Sequence, residues 1–399
     1  MINPSANGWI DKFFIEQKPL LLPVVVNQDL FYKKVRETGF IYGHIIDLNT
    51  LNDIDISKWM RDEISKVALL NSLFDIYGLT IGENDSVKFL QKAVAFYDEM
   101  NPQGFNLFQK VLPNSSTSAN LEKIISERVE TNKNIISKNF SHIITNALLF
   151  IDVLAFRQYL INDKIPKNYL KNMEETIVKI VSSALKTKRK ASKYDELVIK
   201  LFEASVRYSK FSNVSVQNLE ELNLSYFTSD LEKYYLIDMA GMTLWSDGVV
   251  EENEKSFLFQ LADSMNVTDQ FVFDSIEDIN NFILLHKKDI PYFNYSNPVK
   301  HFYDQTTHSV EVLISRNKKR LYKEITESGE LMVLLAHSTQ RDLDENEKKK
   351  IKKQLLDICK TIPSLTIFLL PGGSLLLPIL IKFIPKLLPS AFNENLDHD

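Results

Sequence analysis

Apolar and polar positions alternate along this chain with a helical period almost throughout. Apolar residues return every three or four positions, as in Val87, Leu90, Val94 and Tyr97, which gathers them on one face of a helix. The same period predicts helices over Ile56 to Leu73, Ser86 to Met100, Leu121 to Phe140, Ser141 to Asn162, Pro166 to Lys188 and Tyr194 to Phe211. Ile144, Leu148, Ile151 and Leu154 give the fourth of these a broad apolar face suited to a bundle interior. Farther on, Thr228, Ser229 and Asp230 can cap a helix running through Leu244. Helices are also expected over Asn297 to Thr326, Leu331 to Ala336 and Asp342 to Cys359. Strict two-residue alternation is rare, and eleven glycines in 399 residues leave little room for tight hairpins. The expected fold class is all-α, built of multi-helix bundle domains.

The pattern breaks in a few places. Pro113 to Asn120 and Asn213 to Asn223 are polar, and their short side chains compete with helical hydrogen bonding. The breaks imply an N-terminal helical module over 1–115, a helical bundle over 116–222 and a helical domain over 223–360. After these come an apolar membrane-type segment over 361–392 and an acidic tail over 393–399.

The apolar segment differs from the rest. No charged side chain occurs between Lys360 and Lys382, and at about 1.5 Å of rise per residue such a helix crosses roughly 30 Å of hydrocarbon. It reads as the one membrane-length run in the chain. Pro363, Pro371, Pro378, Pro385 and Pro389 interrupt it, and Gly372, Gly373 and Ser374 follow the second of them. Each proline removes a backbone donor. Breaks of this kind survive at membrane depth only where protein or water satisfies the freed carbonyls, so the segment calls for partners, either other segments of this chain or further copies of it.

Composition narrows the function classes. With 44% apolar and 25% charged residues the chain can bury large cores. A net charge of -5 argues against a general DNA-binding role, which needs a concentrated basic surface. The single cysteine, Cys359, excludes an intramolecular disulfide. The N-terminus lacks the basic and apolar regions of a secretory signal, so the body is expected in the cytoplasm. Seven histidines are scattered without metal-ligand spacing, and neither a phosphate-binding loop nor a dinucleotide fingerprint is present. No nucleophile and base are nominated, and the chain is expected not to be an enzyme.

Two stretches carry candidate chemistry. The first is Trp245-Ser246-Asp247-Gly248-Val249-Val250-Glu251-Glu252-Asn253-Glu254-Lys255, an acidic turn between two helices. Asp247, Glu251 and Glu254 suit a divalent cation, calcium or magnesium, because such ions take oxygen ligands. The alternative is capping, in which the carboxylates meet the positive end of the next helix. An EF-hand is excluded, since Gly248 directly follows Asp247 without the alternating ligands that loop requires. The stretch resembles the TerB-like, tellurite-resistance-like helical fold, with Asp247, Gly248 and Glu254 on that family's acidic-turn positions. Glu251-Glu252 stands where many of its members carry a Ser-Pro cap. A partial echo follows at Asp344-Glu345-Asn346-Glu347-Lys348, as a second copy of the motif or as a chance likeness of helix caps.

The second stretch is the basic run Lys348, Lys349, Lys350, Lys352 and Lys353 just before the apolar segment. Lysines so placed hold their side of a membrane on the cytoplasmic face and meet anionic lipid headgroups. From about Leu355 to Phe392 the ordered set of Pro363, Pro371, Leu376-Leu377-Pro378, Pro385 and Leu387-Leu388-Pro389-Ser390-Ala391-Phe392 resembles the leucine-zipper and EF-hand-containing transmembrane family. That resemblance implies an inner-membrane protein tied to cation/proton exchange and ribosome attachment. The family's members carry an acidic residue between the prolines matching 371 and 378, whereas Gly372, Gly373 and Ser374 stand here. Its soluble ribosome-binding domain is expected after the segment, and this chain ends seven residues after Phe392. The expectation is a bacterial, membrane-associated, non-enzymatic protein of the inner membrane. Its helical body faces the cytoplasm and serves envelope, stress or biofilm-type physiology, in contact with lipid and with further copies of itself. A cation-transport component, a ribosome-associated membrane protein and a soluble cytoplasmic interaction protein are the alternatives.

Overall fold

The computed structural model describes residues 2–17, 27–48, 54–100, 116–130, 141–188, 222–245, 250–286, 298–341, 343–362 and 365. Among them every regular element is helical. The α-helices are α1 (Trp9–Gln17), α2 (Gln28–Glu37), α3 (Arg61–Ile81), α4 (Ser86–Met100), α5 (Thr117–Glu130), α6 (Ser141–Asn162) and α7 (Tyr169–Thr187). They continue with α8 (Asp230–Leu244), α9 (Glu252–Ser264), α10 (Asp269–His286), α11 (Pro298–Glu327), α12 (Gly329–Gln340) and α13 (Glu345–Thr361). The all-α class expected from the periodicity is what the chain adopts.

Helix α3 shows how local chemistry sets the bounds. The expected helix from Ile56 to Leu73 is instead a 3-10 turn over Ile56–Lys58 followed by a helix that begins at Arg61. Met60 is extended at φ -76° and ψ 157°, and its N–H donates to the Glu63 carboxylate at 2.8 Å. That bond satisfies one of the donors every helix start leaves open. The helix then runs past Leu73 to Gly82, whose φ of 82° lies in the left-handed region glycine adopts without strain.

The chain divides into two compact units, Met1–Tyr295 and Ser296–Asp399. In the first, α3 packs against α2, α4, α5 and α6, with α6 as its main partner. A helix enclosed on so many sides must be apolar nearly all round, and Val67, Leu69, Leu70, Leu73 and Ile76 are fully buried. Leu149, Phe150, Val153 and Phe156 of α6 join them. The core continues through α7, α8, α9 and α10 without a break. The expected boundaries near 115 and 222 both lie inside this unit. Past the first, α5 packs on α3 and α4; past the second, α8 packs on α7 and α2.

One sequence expectation needs correction. The run after Lys360 was expected to be the chain's one membrane-length segment, yet α3 is also long and apolar enough to cross a membrane. Its most apolar window is 72% buried inside the protein. Its length and hydropathy are those of a central core helix, a kind of helix that simple apolar counting does not tell from a span.

The second unit places α11, α12 and α13 in pairwise contact. Leu313, Ile314, Leu321 and Ile325 of α11 meet a shared core with Leu331 and Leu335 of α12 and Ile351, Leu355 and Cys359 of α13. Burial pushes the Cys359 thiol up to about 11. The expected 223–360 domain spans the division between Tyr295 and Ser296.

Candidate functional site

The acidic turn resolves into a helix cap at its described end. Glu251 is the N-cap of α9 with φ -72° and ψ 165°, and its N–H donates to Oε2 of Glu254 at 2.7 Å. Glu254 is 2% exposed. A carboxylate so enclosed and bonded to the backbone serves the start of the helix. Asp247 and Gly248 lie outside the described residues. Among the described residues no group of three His, Cys, Asp or Glu side chains is arranged to hold a metal.

The echo at the start of α13 repeats this arrangement closely. Oδ1 of Asp344 accepts from the N–H groups of Asn346 and Glu347, each at 2.8 Å, and Oε2 of Glu347 accepts from the Asp344 N–H at 2.9 Å. In α9 Lys255 pairs with Glu252 at 2.9 Å, and in α13 Lys348 pairs with Glu345 at 3.0 Å, both three residues apart. Arg341 adds a two-pronged contact to Glu347 at 2.6 and 2.8 Å. Its guanidinium and the Asp344 N–H hold the Glu347 carboxyl down at about 2. The two acidic stretches thus make the same cap in different compact units.

Helix α13 carries the basic run. Lys348, Lys349, Lys350, Lys352 and Lys353 are all exposed, but they do different things. Lys350 donates to Glu330 of α12 at 2.8 Å, and Gln354 donates to the same carboxylate at 2.8 Å, which ties α13 to the start of α12. Lys348 is held by Glu345. Lys349, Lys352 and Lys353 make no ion pair among the described residues and stand in solvent. The helix ends at Thr361, with Ile362 and Leu365 buried beyond it. Pro363, Pro371, Gly372, Gly373, Ser374, Pro378, Pro385 and Pro389 lie outside the described residues.

The first unit holds buried charge that the sequence did not nominate. Asp238 of α8 is fully buried and receives both Nε and Nη2 of Arg36 at 2.9 Å, together with the Tyr32 hydroxyl at 2.7 Å and the Ser275 hydroxyl. Arg36 reaches on to Asp278 at 2.8 Å and lies over the Phe271 ring at 4.7 Å. One cluster therefore joins α2, α8 and α10. Burial, reinforced by the Asp238 charge, raises the Tyr32 hydroxyl well above its ordinary value. A second cluster sets Arg128 of α5 against Asp152 of α6, which also accepts from Tyr97 at 3.1 Å. Asp152 and Asp238 are the only charges in the apolar stretches from Ala147 to Phe156 and from Tyr234 to Trp245, a mark of enclosure that the sequence carried. Near the starts of α2 and α8, a polar cleft of about 370 Å³ is lined by Asn27, Gln28, Asp29, Leu79, Arg157 and Asp230.

Comparison with known proteins adds one finding. Residues 343–399 match the family model described as "LETM1-like, RBD". The match begins at the cap of α13 and runs through the proline-broken segment, so the sequence likeness extends upstream of Leu355 and includes the basic helix. No curated protein matches the chain. No solved structure matches it either. The C-terminal region is therefore similar to the Letm-type family over residues 343–399.

Proposed function

We propose that this is a non-enzymatic, membrane-associated protein of the Letm type, acting at the bacterial inner membrane with its helical body on the cytoplasmic side. The observation that carries the reading is the coincidence of three things in one stretch. The family match, the exposed lysines of α13 and the apolar proline-broken run all fall within 343–399. Lysines just before an apolar segment favour retention on the cytoplasmic face and contact with anionic lipid. In this reading the helical body serves an assembly role in envelope, stress or biofilm physiology. The TerB-like reading of the acidic turn draws support only from its helix, turn, helix order. Cell fractionation tests the main reading: the native protein should sediment with membranes and enter solution only with detergent. Recovery in the soluble fraction without detergent would sink it.

A second reading is favoured by the words of the family description. Taken as a ribosome-binding domain, "RBD" points to a membrane protein that holds ribosomes near the bilayer. Co-sedimentation of the detergent-solubilised full chain with ribosomes tests this reading. A cation-transport role draws less support, because Ser374 and its glycines stand where the family carries an ionisable group, the usual handle for moving ions through a membrane.

A further inference from the structure

Helix α13 presents its charge on the side turned away from its own core. Ile351, Leu355, Ile358 and Ile362 are buried at spacings of four, three and four residues, a single stripe facing α11 and α12. On the opposite face Lys349, Lys353 and Lys360 are exposed, with half-buried Leu356 between them. The two lysines of the run outside that stripe with carboxylate partners, Lys348 and Lys350, are already paired to Glu345 and Glu330. Lys360 is likewise held by Asp357 at 2.7 Å, so the lysines of the run with no ion pair among the described residues, Lys349, Lys352 and Lys353, lie in the first half of the helix, at the end away from the apolar run.

Distance decides how these lysines meet a membrane. The apolar run follows directly on α13, so the C-terminal end of the helix marks where the chain enters the bilayer in the reading above. Were α13 upright there, a rise of about 1.5 Å per residue would lift Lys349 roughly 20 Å from the entry point. That exceeds two screening lengths of about 8 Å at physiological ionic strength, and the lysines nearer the start of α13 would gain almost nothing from the surface. We propose that α13 instead lies along the membrane surface, with Lys349, Lys353 and Leu356 on a layer of anionic phospholipid headgroups. This inference rests on the membrane reading of the preceding subsection. The apolar run continuous with the helix is what favours a lipid surface over nucleic acid as the partner of these lysines. The orientation keeps the long lysine stems near the boundary with their charges at the headgroups. It also turns the core stripe, and with it α11 and α12, away from the bilayer.

Full-length protein with Cys359→Ala, reconstituted in phosphatidylcholine vesicles containing phosphatidylglycerol, gives the test. A fluorophore is placed at Asn346→Cys or at Leu356→Cys, about 15 Å apart along the helix, and quenched by a label on the lipid headgroup. Quenching at the two sites should agree within about twofold. The Lys349→Gln/Lys353→Gln variant should lose it at position 346, while Lys348→Gln/Lys350→Gln should keep it, with circular dichroism confirming that both remain folded. Quenching several-fold weaker at 346 than at 356 in vesicle-bound protein means an upright helix and overturns the inference, leaving membrane association intact. Loss of quenching at 346 on adding an RNA oligonucleotide would reassign the stripe to nucleic acid. Protein left outside the vesicle fraction rejects the membrane reading and the orientation together.

Discussion

At the scale of single residues, the fold's most demanding positions are its buried ionisable groups. Asp238 exchanges hydration for contacts with Arg36, Tyr32 and Ser275. Removing one partner from such a set costs about 3–5 kcal/mol, mainly because it strands the other charge. His44 poses a different problem, since it is 4% exposed and, among the described residues, has no carboxylate partner to hold a proton. Burial, with the positive Arg61 and the His286 ring nearby, pushes it down to about 3 from an ordinary 6.5. The folded protein keeps His44 neutral at pH values where the unfolded chain takes up a proton. Its contribution is therefore complete above about pH 6.5 and is lost progressively as the pH falls towards 3, at up to about 1.4 kcal/mol per unit. Urea unfolding at pH 7, 6 and 5 should show this slope, and a His44→Leu variant should lose that part of it. An unchanged slope in the variant would mean that another group is responsible. The sequence showed seven histidines and gave no sign that this one is enclosed, because burial here depends on Phe282, which packs over it from far along the chain.

The elements were more legible than their residues. The periodic spacing predicts the bounds of α4 and α6 to the residue, because apolar faces of that length have one way to sit on a core. The start of α3 was less legible: Met60 is not a residue type that advertises a cap, and the boundary is set by Glu63 reaching back to its N–H. The acidic turn illustrates the same limit for function. Its carboxylates suit either a cation or a cap, and Glu254 is engaged with the backbone. Glu254→Ala should cost about 1 kcal/mol, the usual worth of a lost cap, and Glu254→Gln less, since its amide oxygen still accepts. Thermal melts with and without calcium decide between the two roles. A calcium-dependent stabilisation lost in both variants would restore the cation site that Asp247, Glu251 and Glu254 suggest. The same residue types at Asp344 and Glu347 make the same cap, so a short acidic motif before a helix speaks first for helix initiation.

At the scale of the whole molecule, two cores call for separate treatment. Leu355 is fully buried in the second unit, and the first has its own continuous core. A Leu355→Ala change removes about 2–5 kcal/mol of packing from the second unit alone. Differential scanning calorimetry should show one transition moving down and another staying in place; a single transition that shifts as a whole would mean the units melt together. The division between Tyr295 and Ser296 falls at neither of the polar stretches near 115 and 222. The family likeness, by contrast, was readable from the order of the prolines, and it extends upstream to residue 343.

The enclosed, membrane-like character of α3 sets a problem of timing during synthesis. At about 5–20 residues per second, its main packing partner α6 follows by roughly 4–16 s, and the end of α13 by roughly 15–60 s. Throughout the first interval a helix as apolar as a bilayer span lacks its main packing partner, with only α2, α4 and α5 to cover it, well before the chain's own C-terminal run exists. Glu63, Ser65, Lys66 and Ser72, all buried once the body has folded, mark it against the lipid, since each would be costly to strand in hydrocarbon. The polar side chains inside this core therefore bear on the order of events as well as on stability. They bias the newborn helix to wait for α6 rather than to enter a bilayer.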